Sequence, residues 1–227
     1  MKNLLSALLC CISFSAAAGI QVDATRVIYN GSAQSASLNI HNDKADTYMV
    51  QTWLDQGDAS KTPQDIPLQV IPPVLKLAGN KEAVLRFIYS GKGLPQDRES
   101  LFWVNVQEIP PTSNKENVLQ IAVRTRIKLF YRPDGLNTSL EKQAAALKWH
   151  RQGNQLTVEN SGPFNITLGT ITLTSSNGKK QTINADMIKP FDRATINLPA
   201  GTENGSRLSF SYINDYGGNS EVKDISL

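Results

Sequence analysis

Cysteine and histidine are both scarce in this chain of 227 residues. The two cysteines, Cys10 and Cys11, are neighbours near the N-terminus, whereas the two histidines, His41 and His150, are far apart. Disulfides, thiolate nucleophiles and the common zinc-ligand spacings are therefore excluded from the rest of the chain. The sequence also lacks a GxSxG nucleophile motif and a complete phosphate-binding loop. We expect no enzyme activity, no catalytic residues, no metal, no cofactor and no small-molecule substrate.

Long apolar runs and a strong charge imbalance are missing as well. Lys2, an apolar run from Leu4 to Phe14 and small residues up to Ala18 predict a secretory signal peptide over residues 1–18, cleaved after Ala18. No later run is long enough to cross a bilayer. The formal net charge is +3 and falls to +2 without Lys2, which does not favour nucleic acid as a partner. We therefore expect an exported protein.

The sequence does contain many short segments in which apolar and polar residues alternate. Such alternation is typical of antiparallel strands, and turn residues separate the segments. We predict strands over residues 27–29, 37–40, 48–54 and 83–89, then over residues 147–150, 155–159, 167–174, 195–198 and 208–213. Two runs of strands predict an all-β fold with two β-sandwiches.

The joint between the two sandwiches is predicted at Arg132-Pro133-Asp134-Gly135, because proline and glycine end the preceding strand. We therefore assign residues 19–134 to the first domain and residues 135–227 to the second. Residues 141–146 follow the joint and are rich in alanine. They are predicted to form either one helical turn or an irregular connection.

The most informative segment is NVLQIAVRTRIKLFYRP, residues 117–133, which we predict to be one long strand. Leu119, Ile121 and Val123 fall on one face of this strand at a period of two. The alternation leaves two interpretations open. The segment is an ordinary strand of the first sandwich, or it is an edge strand that offers its apolar face to another protein.

Three segments together resemble the periplasmic pilus-assembly chaperones, the immunoglobulin-like chaperones of the chaperone–usher pathway. LPQDRESLFWVNVQEIPP (94–111) resembles the family's signature segment, residues 117–133 resemble its donor strand, and SYINDYGG (211–218) resembles a motif of its second domain. The three segments stand in the family's order. The resemblance implies two immunoglobulin-like β-sandwich domains in a boomerang arrangement, with a subunit-binding cleft between them.

The resemblance also implies a role for particular residues. Arg26 and Lys128 match two basic cleft residues that grip the C-terminal carboxylate of a pilus subunit. Leu119, Ile121 and Val123 match the apolar side chains that the donor strand inserts into the subunit. A carboxylate held by a guanidinium and an ammonium accepts charge-assisted hydrogen bonds, which are strongest where water is partly excluded.

A second set of charged residues matches the family's interdomain cluster: Glu99, Arg132 and Asp215. In this interpretation Glu99 lies where its strand enters the first domain, and the following aromatic residues enter the core. The cluster would set the angle between the domains. Because desolvation of buried charges opposes their attraction, the role expected of this cluster is to set geometry.

The function implied by the resemblance is that of a periplasmic chaperone. It would cap pilus or fimbrial subunits by donor-strand complementation and deliver them to an outer-membrane usher. The short loop at residues 110–116 resembles the family's short-loop class. Whether the free chain self-associates to cover its apolar side chains is left open by the sequence.

Three other functions compete with this one. A pilus subunit or adhesin would usually show one incomplete domain and often a disulfide. A carbohydrate-binding sandwich could use Trp53, Trp103 and Trp149. Residues 94–111 are also strand-like, so Trp103 there and Trp149 on the strand 147–150 are both expected in the core. A periplasmic hydrolase would need a nucleophile and a base that this sequence does not supply.

Overall fold

A computed structural model of the chain describes residues 19–57, 66–112, 117–202 and 207–227. The predicted signal peptide lies outside these residues, as does part of the loop at residues 110–116. The described chain is almost entirely β-structure and forms two immunoglobulin-like sandwiches, which confirms the predicted fold class. No helix in these ranges is long and apolar enough to span a membrane.

The first sandwich consists of two sheets that enclose one hydrophobic core. Its strands are β1 (Ile20–Val22), β2 (Arg26–Asn30), β3 (Ala36–Asn42), β4 (Tyr48–Asp55), β5 (Leu68–Ile71), β6 (Val74–Leu77), β7 (Glu82–Tyr89), β8 (Ser100–Ile109) and β9 (Arg124–Arg132). The sheet orders are β1-β3-β7-β5 and β2-β9-β8-β4-β6. Within these sheets β2 and β9 pair in parallel, and the other pairs are antiparallel.

The second sandwich follows a short helix, α1 (Leu140–Ala145), so the helical alternative for this stretch is confirmed. Ser139 caps α1, because its side chain accepts a hydrogen bond from the Lys142 N–H. The strands are β10 (Lys148–Gln152), β11 (Gln155–Asn160), β12 (Ile166–Thr174), β13 (Lys180–Asn184), β14 (Met187–Ile188), β15 (Asp192–Asn197), β16 (Arg207–Ile213) and β17 (Asn219–Ser226). One sheet has the order β10-β11-β15, and the other has the order β13-β12-β16-β17 with β14 paired to β12.

The predicted strands are confirmed by nine of these elements, β2, β3, β4, β7, β10, β11, β12, β15 and β16, with ends that shift by a few residues. The prediction of one long strand over residues 117–133 was wrong, because β9 begins only at Arg124. β2 does not reach residues 117–123, and β8 reaches only the last of them, Val123. β2 begins opposite Lys128, and the register of β8 with β9 ends at Arg124. The Val123 carbonyl accepts one more hydrogen bond, from the Glu108 N–H at 3.0 Å.

Candidate functional site

Strand β9 presents two different faces. Ile127, Leu129 and Tyr131 point into the core of the first sandwich. The side chains between them lie on the opposite face of the sheet, and they are Arg124, Arg126, Lys128, Phe130 and Arg132. Phe130 is buried without belonging to the core of either sandwich. We call this basic face of β9, together with Arg26 of β2, Trp103 of β8 and Asp55 of β4, the cleft face.

Arg26 and Lys128 meet on the cleft face. Arg26 is the first residue of β2, and the parallel register pairs it directly with Lys128. Its Nη1 donates to the Ile213 carbonyl of β16 at 3.2 Å, and its guanidinium carbon lies 5.7 Å from the centre of the Phe130 ring. Both sandwiches therefore build this position. The sequence predicted the two cations, and the structure brings them together.

Lys128 is surrounded by soft and aromatic groups. Its Nζ lies 3.7 Å from the Met187 Sδ of β14 and 5.5 Å from the centre of the Trp103 ring. Among the described residues, neither Lys128 nor Arg26 forms an ion pair with a carboxylate. The buried Arg26 Nε also has no acceptor there. The pair is thus a cationic site with unused hydrogen-bond donors.

Burial disfavours the charged forms of both Arg26 and Lys128. It lowers the pKa of Arg26, although the carboxylates of Asp215 and Glu99 oppose this effect from a distance. Burial also lowers the pKa of Lys128; the charge of Asp186 raises it, and the charge of Arg26 lowers it. Two partly desolvated cations side by side favour an added anion, because an anion would relieve both the mutual repulsion and the loss of hydration.

Residues 117–123 extend beyond β9 with their apolar side chains in solvent. Leu119 is 85% exposed, Ile121 67% and Val123 51%. Large exposed apolar groups in a row mark an interaction site. The three residues share the odd-numbered parity of Ile127, Leu129 and Tyr131, so in a continuous strand they would prolong the row of core side chains.

Arg132, Glu99 and Asp215 form one connected cluster between the sandwiches. Arg132 donates from Nε to Glu99 Oε1 at 2.9 Å, and its two terminal nitrogens donate to the Asp215 carboxylate at 2.7 and 2.8 Å. Asn165, which the sequence analysis missed, donates from its backbone N–H to Glu99 Oε2 at 2.8 Å. Burial raises the pKa of Glu99, and the hydrogen bonds from Arg132 and Asn165 offset part of that effect.

A further buried charge on the cleft face was also missed. Asp55 of β4 is almost fully buried and accepts hydrogen bonds from Arg126 at 2.6 Å, Asn105 at 2.7 Å and the Gly57 N–H at 2.7 Å. Burial raises the pKa of Asp55, but these hydrogen bonds outweigh it and hold the pKa below its ordinary value. Arg124, Arg126, Lys128 and Arg132 at alternate positions of β9 indicate in the sequence that a counter-charge is needed, but they do not identify Asp55 as its source.

Trp103 lies on the cleft face, so the expectation that it belongs to the core was wrong. The alternation of β8 sends Phe102 and Val104 into the core and leaves Trp103 half-buried on the other side. Its ring stacks under the Arg126 guanidinium at 4.2 Å. Trp149 is in the core of the second sandwich, as expected, with its ring 5.2 Å from that of Phe210.

Comparison with known families assigns both halves of the chain. Residues 19–137 match the model "Pili and flagellar-assembly chaperone, PapD N-terminal domain", and residues 142–223 match "Pili assembly chaperone PapD, C-terminal domain". The chain belongs to the PapD-like pilus-assembly chaperones. Members of this family are chaperones and not enzymes, so the expected lack of enzyme activity is confirmed.

Individual relatives support the assignment to the PapD-like chaperones. The probable fimbrial chaperone LpfB of Escherichia coli O157:H7 is 41% identical over 210 residues, covering 91% of this chain and 88% of LpfB. The crystal structure of the YadV chaperone superposes with a TM-score of 0.80 at 36% identity, covering 92% of this chain and 100% of YadV. A chain in the structure of the Salmonella enterica SafA pilin in complex with the SafB chaperone superposes with a TM-score of 0.78 at 30% identity, covering 94% of this chain and 99% of that one.

Proposed function

We propose that this fimbrial chaperone caps pilus subunits in the periplasm by lending them residues 117–123 as a strand, and that it delivers them to an outer-membrane usher. The observation that carries the proposal is the position of Arg26 and Lys128 at the end of an unpaired strand edge. Subunit binding is also what is described for the related SafB chaperone with its SafA pilin.

The free edge of β9 explains how a foreign strand would bind. On the side occupied by β2, β9 is paired only from Lys128 onward. Within the described residues, positions 124–127 of β9 have no strand on that side, and residues 117–122 pair with no strand. Val123 is held on the β8 side by one hydrogen bond from Glu108. A foreign strand docked along this edge would lie in line with β2 on the same side of β9, and it would end where β2 begins, at Arg26.

The charge at Arg26 and Lys128 selects the direction of that strand. If the strand ran parallel to β9, as β2 does, its last residue would meet the two cations with a C-terminal carboxylate. If it ran antiparallel, an N-terminal ammonium would meet them instead and be repelled. The carboxylate would also fix the register, which matters because a slip of one residue would exchange the two faces of the strand.

The apolar side chains supply the attraction along the rest of the edge. Leu119, Ile121 and Val123 would enter the groove that a subunit exposes when it lacks its own last strand. Burial of each such side chain contributes roughly 1.5–3 kcal/mol before the cost of ordering the segment. The large exposure of these residues in the free chain leaves most of that contribution available for binding.

Co-purification from the periplasm tests this function. A tagged chaperone is co-expressed with subunits encoded beside it, and Arg26→Ala and Lys128→Ala are compared with wild type. Arg193→Ala on β15 and Lys179→Ala, which remove exposed charges from the second sandwich, serve as matched controls. We expect wild type and both controls to retain a subunit in a one-to-one complex. The two cleft variants should fold but lose the subunit, which is then degraded.

Two results would count against the proposal in different ways. Folded cleft variants that retain subunits as well as wild type would refute the carboxylate site. A wild-type chaperone that retains no subunit from a matched operon would refute subunit capping itself.

A further inference from the structure

Glu108 is a buried carboxylate for which the described residues provide no cation. It lies near the end of β8, where it continues the row of core side chains formed by Phe102, Val104 and Val106. Only 7% of the residue is exposed, and its Oε2 accepts a hydrogen bond from the Ile20 N–H at 2.7 Å. No lysine, arginine or histidine in the described ranges forms an ion pair with it. Buried carboxylates ordinarily have such a partner.

Gly19 lies directly against this carboxylate. A Cβ atom added to Gly19 would be 2.1 Å from Glu108 Oε2 and 3.0 Å from Oε1, so a larger residue would require the carboxylate to move. Only two covalent bonds separate that Cβ position from the Gly19 nitrogen, which therefore lies within about 5 Å of Oε2. In the uncleaved chain this nitrogen belongs to the peptide bond with residue 18 and is neutral.

We propose that Glu108 is the binding site for the amino terminus that signal-peptide cleavage releases. A signal peptidase would add water across the peptide bond between Ala18 and Gly19. Residue 18 would leave with the carboxylate, and the freed Gly19 amine would take up a proton. The resulting α-ammonium forms the ion pair that the buried Glu108 lacks in the precursor.

The location of Glu108 connects this ion pair to the segment that binds partners. The Glu108 backbone N–H donates to the Val123 carbonyl at 3.0 Å, and no backbone hydrogen bond is found for residues 117–122 within the described chain. The Gly19 carbonyl in turn accepts from the Asp43 N–H at 3.1 Å, next to the end of β3. Cleavage therefore strengthens the end of the sandwich from which the partner-binding segment extends, and the precursor holds that end less firmly.

The experiment compares one protein before and after its amino terminus is released. Residues 19–227 are fused to a leader that a site-specific protease removes directly before Gly19. Urea unfolding at neutral pH is then measured for the uncleaved and the cleaved protein. We expect cleavage to increase the folding equilibrium constant about tenfold, as for a charge-assisted hydrogen bond in a partly buried site. We also expect slower amide exchange at Glu108.

Two controls separate the ion pair from other effects of the leader. In Glu108→Gln, cleavage should change the equilibrium constant by less than about twofold, because no buried carboxylate is left to pair with the ammonium. In a wild-type chain that retains one extra alanine before Gly19 after cleavage, the ammonium is displaced and the gain should also vanish. The extra-alanine protein decides the question even if Glu108→Gln does not fold. An equal gain in either control, or no gain in wild type, would overturn the proposal.

Discussion

Individual side chains on the cleft face differ in whether their charge is already satisfied. Arg126 has the buried Asp55 as a partner, and Arg132 has Glu99 and Asp215. Arg26 and Lys128 form no ion pair within the described part of the chain. Arg126 and Arg132 therefore hold buried carboxylates in place, while Arg26 and Lys128 remain available for a ligand.

The contrast between these residues predicts the behaviour of Asp55→Asn. Removal of the carboxylate leaves Arg126 without its counter-charge, and we expect the free energy of unfolding at neutral pH to fall by about 1–3 kcal/mol. Because the pKa of Asp55 is lowered in the folded state, its contribution is complete above the unfolded pKa of about 3.9 and is lost as the pH falls through the lower, folded value. Urea unfolding across the acid range should show the two curves converging, whereas the exposed control Asp192→Asn should follow wild type throughout. A constant difference down to the lowest pH would contradict this assignment.

Lys128 predicts a pH dependence of ligand binding. Its pKa is lowered in the free chain, so the ammonium loses its proton at a lower pH than an ordinary lysine does. We expect the affinity for a peptide with a subunit's C-terminal sequence to fall as the pH rises through this lowered pKa. Calorimetry with Lys128→Arg should show the fall displaced to higher pH, because a guanidinium stays protonated. Peptide that binds equally well with an amidated C-terminus would refute a carboxylate site.

At the scale of elements, β9 and the segment before it illustrate what the sequence can and cannot predict. The period of two holds within β9, where Ile127, Leu129 and Tyr131 all face the core. Leu119, Ile121 and Val123 lie before β9 begins, so their shared face stays a prediction. The alternation did not predict where the strand begins, since this depends on the ends of β2 and β8, which lie elsewhere in the chain. Short edge elements such as β1, β5 and β14 were missed for a related reason, because pairing with neighbours defines them more than their own pattern does.

The site was partly predictable for similar reasons. The resemblance supplied Arg26 and Lys128, whereas the partners Asn165 of the interdomain cluster and Asp55 of Arg126 come from distant segments without a local signal. Trp103 was assigned to the core because aromatic residues on strands are usually buried there. In β8, Phe102 and Val104 face the core, so Trp103 between them points to the opposite face of the sheet.

The exposed segment predicts a variant that separates folding from binding. Ile121→Ser removes an apolar side chain that is 67% exposed in the free chain, so we expect the free energy of unfolding to change by less than about 0.5 kcal/mol. Binding of a subunit should weaken at least tenfold, because the lost burial is worth roughly 1.5–3 kcal/mol. Titration of purified chaperone with a denatured subunit checks this, with Ala122→Ser on the other face as the matched control. Equal loss in both variants would contradict the assignment of faces.

At the scale of the whole molecule, the charged cluster and a close backbone approach join the two sandwiches. Gly217 has a φ of +84°, and a Cβ there would lie 2.2 Å from the Thr25 Oγ1 next to β2. The positive φ favours glycine at this turn, and a larger residue would also force the Thr25 side chain to move. This contact, the Arg132 cluster and the hydrogen bond from Arg26 to Ile213 hold the loop after β16 against the first sandwich.

Removal of Arg132 should therefore release the two domains from one another. Arg132→Ala leaves the buried Glu99 without its cation and breaks both hydrogen bonds to Asp215. We expect residual dipolar couplings of the two sandwiches to fit one common alignment tensor in wild type and two different tensors in the variant. Arg193→Ala, which removes an exposed arginine of the second sandwich, should retain the common tensor. A common tensor in Arg132→Ala would show that the cluster does not set the domain geometry.

The most direct test of the central claim is amide hydrogen exchange of residues 117–127, measured in the free chaperone and in its complex with a subunit. Residues 117–123 lie in no strand of the free chain, so we predict fast exchange there in the absence of a subunit. In the complex we predict slow exchange at every residue from 117 to 127, up to Lys128, where the pairing of β9 with β2 begins. Exchange that remains fast across residues 117–123 in a stable complex would contradict the account, because the subunit would then be held without the lent strand.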